Sequence, residues 1–191
     1  MILPPVNLPP VEIDDARLNE TTESKSIYDV WDRARGTKFA PAFGRDFKID
    51  ELDISIIPCL SIGDVIDGGQ DYFYRFWGTR NVEVKGLEMT GKYMSEGPLP
   101  QVIKYGHEQF SALIQRREPT AFVYVGPYKS PIQRQQTTFR FPLSSDGETV
   151  DGILSYQDLN HQTLGWSTRF KDFWDEQGLL PPYNPLLGND C

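Results

Sequence analysis

The stretch Gln136-Thr137-Thr138-Phe139-Arg140-Phe141-Pro142-Leu143-Ser144-Ser145-Asp146-Gly147 decides the fold class. Thr137, Phe139, Phe141 and Leu143 alternate with Gln136, Thr138 and Arg140, and successive side chains of an extended chain point to opposite faces. Residues 134–143 therefore predict an antiparallel strand with one apolar and one wet face. Asp146-Gly147 signals a hairpin turn, because both residues tolerate positive φ, and it leads into a returning strand over residues 149–157. Immediately upstream, residues 120–126 are apolar on both faces and predict a central strand.

Working outward, residues 54–66 read as a strand with Ile56, Leu60, Ile62 and Ile66 at period-two positions. Gly68-Gly69 makes a tight connection to a second strand over residues 71–77, Asp71-Tyr72-Phe73-Tyr74-Arg75-Phe76-Trp77, so the pair is a hairpin. Thr79 is placed to cap a short helix over residues 80–85. Pro100 to Arg117 is the longest helix, with Leu99, Val102, Ile103, Gly106, Phe110, Leu113 and Ile114 on one stripe and Pro119 as its stop. Near the start, Ser26 caps a helix carrying Ile27, Val30, Trp31 and Ala34 on one face, and Gly36 ends it. A short helix is predicted over Asp46–Asp53. A last helix over residues 167–177 brings Trp166, Phe170, Phe173 and Trp174 together.

The order is two strands, short helices, one longer helix and a three-strand meander. It predicts an α+β fold with a five-stranded antiparallel sheet and helices on one face, enclosing a concave apolar space. Three regions follow: a flexible proline-rich arm over residues 1–25, the domain over 26–160, and a C-terminal helix and tail over 161–191.

The chain has 191 residues, 39% of them hydrophobic, which suits one domain with a filled core and excludes the disordered class. A net charge of −8 repels phosphate backbones and anionic headgroups, so neither nucleic acid nor membrane is an expected partner. Two cysteines, Cys59 and Cys191, are no disulfide framework. The start of the chain has no secretory pattern and no apolar run is long enough to span a bilayer, so a cytoplasmic location is expected.

Several elements together resemble a PAS-like family of stand-alone alphaproteobacterial proteins. Trp31-Asp32-Arg33-Ala34-Arg35-Gly36, Pro41-Ala42 and Asp46-Phe47-Lys48-Ile49-Asp50 look like its opening. Tyr74-Arg75-Phe76-Trp77-Gly78-Thr79 is similar to its second strand and helix cap, Leu87-Glu88-Met89-Thr90-Gly91 to its Leu-Thr-Gly element, and Phe141-Pro142-Leu143-Ser144-Ser145-Asp146-Gly147 to its Leu-Pro-Leu-Ser-x-Asp-Gly turn. The chain departs from the pattern after Pro41, where Ala42 stands in place of an arginine. The resemblance implies a PAS-like sensor or adaptor. Such a domain binds a small-molecule ligand or a signalling protein partner and relays a signal without an output domain of its own. PAS-like domains dimerise through flanking helices, so Trp166, Phe170, Phe173 and Trp174 are the interface candidates for a homodimer.

The pocket candidates are Tyr74, Arg75, Phe76, Tyr105, His107, Phe110, Tyr124 and Phe139, an aromatic set suited to a flat or acyl ligand. Arg75 interrupts an apolar strand: outward it is a surface arginine, inward it requires an anion. His107 lies at the margin of the long helix's apolar stripe, where haem-binding PAS domains place a histidine, yet a boundary position explains it; His161 lies past the last strand. The flavin-binding Asn-Cys-Arg-Phe motif is missing. No cofactor is therefore assigned, with haem and flavin disfavoured. Cys59, at an odd position, is expected to face away from Ile56, Leu60 and Ile62 as a small core or boundary residue.

No Cys/His spacing suits a metal, no glycine-rich phosphate loop or nucleophile elbow occurs, and Asp14-Asp15 and Asp50-Glu51 read as solvated. No catalytic residue is assigned, and a non-enzyme is expected. Two alternatives stay open: an interaction module with a filled core, and a small enzyme using His107 or Tyr105 in the cavity.

Overall fold

A computed structural model of the protein describes residues 22–98, 100–125, 135–157 and 159, together with short strands at 6–7 and 11–12. In chain order these form β1 (Val6–Asn7), β2 (Val11–Glu12), α1 (Thr22–Arg35), β3 (Leu60–Ile66), β4 (Asp71–Trp77), α2 (Thr79–Lys85), α3 (Pro100–Arg116), β5 (Thr120–Val125), β6 (Gln135–Leu143) and β7 (Gly152–Gln157). The fold is α+β, and five antiparallel strands run in the order β4–β3–β7–β6–β5. The meander of β5, β6 and β7 closes onto the β3–β4 hairpin through β3 and β7, a non-local pairing that no turn specifies.

The helices lie on both faces of the sheet, which corrects the expectation of one covered face. Trp31 on α1 packs on Phe141 with ring centroids 6.0 Å apart and donates from Nε1 to the Pro142 carbonyl at 2.8 Å. Gln109 on α3 bonds to Arg140, the neighbour of Phe141 on β6. Adjacent strand residues face opposite ways, so α1 and α3 cover opposite sides.

Two cores follow. One gathers Ile27, Val30 and Trp31 of α1 with Phe47, Leu60, Ile62, Phe139, Phe141, Leu154 and Tyr156. The other gathers Tyr72, Tyr74, Trp77, Val82, Met94, Phe110, Leu113 and Ile153 under α2 and α3. The predicted wet face of β6 is thus dry: Thr138 and Arg140 are buried. The polar residues of the alternation mark a second covered surface, one that carries hydrogen-bonding groups.

β5 is paired on both edges, as expected of a central strand, with β6 on one side and β1 and β2 on the other. Beyond it, Val6–Asn7 and Val11–Glu12 pair with its outer edge, so part of the expected flexible arm is strand. α1 begins at Thr22 and holds Ser26 inside it, and Gly36 follows it at φ +56°, where a residue without Cβ is unstrained.

The segment expected to be strand from residue 54 starts only at Leu60, because Pro58 sits in a 3-10 turn, Ile57–Cys59, and cannot donate to a ladder. The same turn swings Cys59 into the core of Ile56, Leu60 and Ile62, against the expected opposite face. The helix predicted over 46–53 is reduced to a 3-10 turn, Ile49–Glu51. Gly78, not Thr79, is the N-cap of α2. On α3 Phe110 and Leu113 are buried, but Val102 is 46% exposed and leaves the predicted stripe. Leu99, His161 and the predicted final helix with Trp166, Phe170, Phe173 and Trp174 lie outside the described residues.

Candidate functional site

The pairing register places one side-chain row across the face beneath α2 and α3. Thr120 stands opposite Arg140, Arg140 opposite Ser155, Ser155 opposite Ser61, and Ser61 opposite Trp77. All five are buried. Such a run of polar-bearing residues is unusual on a covered sheet face, because each buried polar group must find a partner or be destabilising.

Arg140 is the centre of the row and is 7% exposed. Its Nε and Nη2 both donate to Gln109 Oε1, at 3.1 and 2.6 Å, and its Nη1 donates to Ser155 Oγ at 2.6 Å. The guanidinium lies 4.4 Å from the Phe110 ring centre and 5.7 Å from that of Phe122, a cation–π arrangement on two sides. The same cation therefore bridges β6, β7 and α3. Beside it, Phe110 meets Tyr72 edge-on at 4.6 Å and Tyr74 at 6.5 Å, and Tyr74 meets Trp77 at 4.9 Å. Burial pushes the Tyr74 phenol up to about 12, so it stays protonated.

At the other end of the row, Lys85 Nζ lies 4.6 Å from the centre of the Trp77 ring. Burial and then the Arg140 guanidinium push the Lys85 ammonium down to about 7. The unfolded chain, with an ordinary lysine near ~10.4, holds one more proton above that value. Stability is therefore expected to rise from about pH 7 toward about pH 9.5, below the range where the Tyr74 phenol works in the opposite direction. Urea midpoints across that range should climb for the natural chain and climb less for Lys85→Met; parallel curves would refute the assignment.

Of the sequence candidates, the structure brings Tyr74 and Phe110 into this site. His107 lies against Tyr72 with centroids 5.2 Å apart and rings tilted by 60°, and is half-buried at the site's margin, as is the half-buried Tyr105 on the same helix. Phe76 and Phe139 belong to the core under α1, so they are not part of it. Tyr124 is placed on β5 opposite Gln136.

Arg75 points outward: its guanidinium pairs with Asp64 at 2.8 Å and lies 5.9 Å from the Phe43 ring. It is the extra residue of a bulge between the pairs Ile62–Phe76 and Gly63–Tyr74. An exposed pair of this kind contributes little, so Arg75→Ala should change stability by no more than ~0.5 kcal/mol in a urea titration.

Arg140, Gln109, Ser155, Ser61 and Lys85 were not identifiable as a unit from the sequence. The available signal was a hydroxyl in the middle of each apolar strand, Ser61 in Leu60-Ser61-Ile62 and Ser155 in Leu154-Ser155-Tyr156, facing an arginine flanked by phenylalanines.

Among the described residues, no group of three or more His, Cys, Asp or Glu side chains is arranged to hold a metal, and no helix is long and apolar enough to cross a membrane. Ser155 Oγ serves as an acceptor for a cation. The arrangement is suited to holding a polar group in a dry aromatic setting. Compared with protein-family models, curated proteins and solved structures, the chain has no significant match to any.

Proposed function

We propose that the chain is a PAS-like sensory or adaptor domain of the cytoplasm that binds a small ligand between its sheet and α3 and passes the change to a protein partner. The observation that carries this reading is the buried Arg140, tied at once to α3 through Gln109 and to β7 through Ser155. A group competing for that guanidinium would act on the helix and on the sheet together, which is the coupling a sensor requires. The sheet order β4–β3–β7–β6–β5 with α2 and α3 between its two halves in sequence supports the PAS-like part of the reading. The homodimer through Trp166, Phe170, Phe173 and Trp174 is part of the same proposal.

Native and denaturing mass spectrometry of the purified full chain test it. A mass excess in the native spectrum that disappears on denaturation, and that is missing from Arg140→Met, is the expected result. A bare chain under native conditions would overturn ligand binding and favour an interaction module with a filled core. The native spectrum also counts subunits.

A further inference from the structure

β5 owes its second paired edge to the start of the chain. Val6 and Asn7 pair with Val125 and Tyr124, and Val11 and Glu12 pair with Ala121 and Thr120. Among the described residues, only these two short strands meet that edge.

The two edges differ in what they would do if left open. Alternate residues of a strand direct both N–H and C=O to one side, and an open edge of this kind accepts a further extended chain. Thr120-Ala121-Phe122-Val123-Tyr124-Val125 carries no charge, no proline and no glycine, and every residue but Ala121 is β-branched or aromatic. Those are the properties of a segment that pairs with copies of itself. The arm has the opposite character. Pro4, Pro5, Pro9 and Pro10 lack the N–H that a ladder needs. Between its two paired stretches the arm advances four positions, from Asn7 to Val11, while β5 advances three, from Tyr124 to Ala121. A surplus residue of this kind is a bulge, and bulges and prolines on an outermost strand end a sheet.

We propose that residues 6–12 are an edge guard: a strap that occupies the outer edge of β5, and whose release lets that edge pair antiparallel with the β5 edge of a second copy of this chain. Antiparallel pairing of a strand with itself is two-fold symmetric, so one contact serves both copies and closes. The arm prevails in the intact chain because residues 13–21 tie it to α1. A short covalent tie gives an effective concentration on the order of millimolar, above that of a second copy in dilute solution. Whatever cuts the arm from α1 removes that advantage and turns a closed edge into a joining one.

The test severs the arm in the folded protein. A specific protease site inserted between Asp15 and Ala16 is cut after purification of the full chain, and backbone amide exchange and native mass are followed over a range of concentrations. In dilute solution the outward amides of β5 are expected to exchange at least tenfold faster than in the uncut chain, while those of β7 keep their protection. On concentration the subunit count should double over that of the uncut chain, and the β5 amides should regain protection with it. A synthetic peptide of residues 1–15, added in excess, should reverse the association and still protect β5. Exchange and mass unchanged by cutting, whether the arm stays or leaves, would overturn the proposal. Association that leaves the β5 amides fast would place the contact elsewhere and overturn the pairing. Loss of protection in β7 as well would make the arm a part of the folding unit and not a guard.

Discussion

Gly78→Ala is expected to destabilise the fold by at least ~3 kcal/mol and to leave much of the protein insoluble. A Cβ at this position would lie 2.3 Å from the Pro58 carbonyl oxygen, 2.6 Å from its carbon and 2.8 Å from the Ile57 oxygen. All three atoms are backbone, so no side chain can rotate away. The conformation is not the obstacle, since Gly78 has φ −62° and ψ 148°, a region open to any residue. What has to give is the packing of the β4–α2 junction on the 3-10 turn before β3, including the bond from Gly78 N to the Leu60 carbonyl at 2.9 Å. Gly36→Ala is the matched control: φ is +56° and nothing lies within 4 Å of the added carbon. That change should cost only ~1–2 kcal/mol, through the left-handed backbone alone. Urea midpoints at constant slope separate the two. Equal losses would show that the close approach at Gly78 is not real.

Trp31→Ala is the second large effect, at ~3–5 kcal/mol. Trp31 is 2% exposed, touches Tyr28 and Phe141, and is the side chain whose donor reaches the Pro142 carbonyl from α1. Removing it takes away both the apolar burial and that hydrogen bond. Trp31→Phe keeps most of the ring contact and loses the bond, so ~1–3 kcal/mol is expected. Amide hydrogen exchange adds a spatial check. Because α1 and α3 cover opposite faces, Trp31→Ala should speed exchange in α1 well before α3. A matching acceleration in α3 would contradict a two-faced sheet.

The fold was legible where a local period or a turn residue specified it. β4 runs over the predicted residues, β6 and β7 nearly so, and α3 ends one residue short of its predicted end, because alternation, Asp146-Gly147 and Pro119 each act within a few residues. The start of β3 was misplaced because period-two spacing of Ile56 with Leu60 and Ile62 arises equally from a 3-10 turn feeding a strand into one core. The second covered face was missed for a different reason. Gln136, Thr138 and Arg140 match the composition of a solvated surface, and only the docking of α3 on that side makes it an interior. The candidate site suffered most. Tyr74 and Phe110 were visible as aromatics, but the row from Thr120 to Trp77 exists only once four strand registers are known, and no single segment carries it.

The row accommodates Arg75 through the backbone and not through the side chain. Tyr72 and Tyr74 face α3 by ordinary alternation, and Trp77, three residues beyond Tyr74, faces the same way because one residue between them is left out of the pairing. The bulge is a counting device: it changes even to odd midway along the strand. A chain shortened by that one residue would keep its composition, charge to within one unit and hydrophobic pattern almost intact. It would also keep every pair, because Tyr74, Phe76 and Trp77 would then alternate without a break against Gly63, Ile62 and Ser61. The aromatic end of the site is therefore set by the pairs on either side of the bulge, and the surplus residue is an addition they absorb, carried out to Asp64.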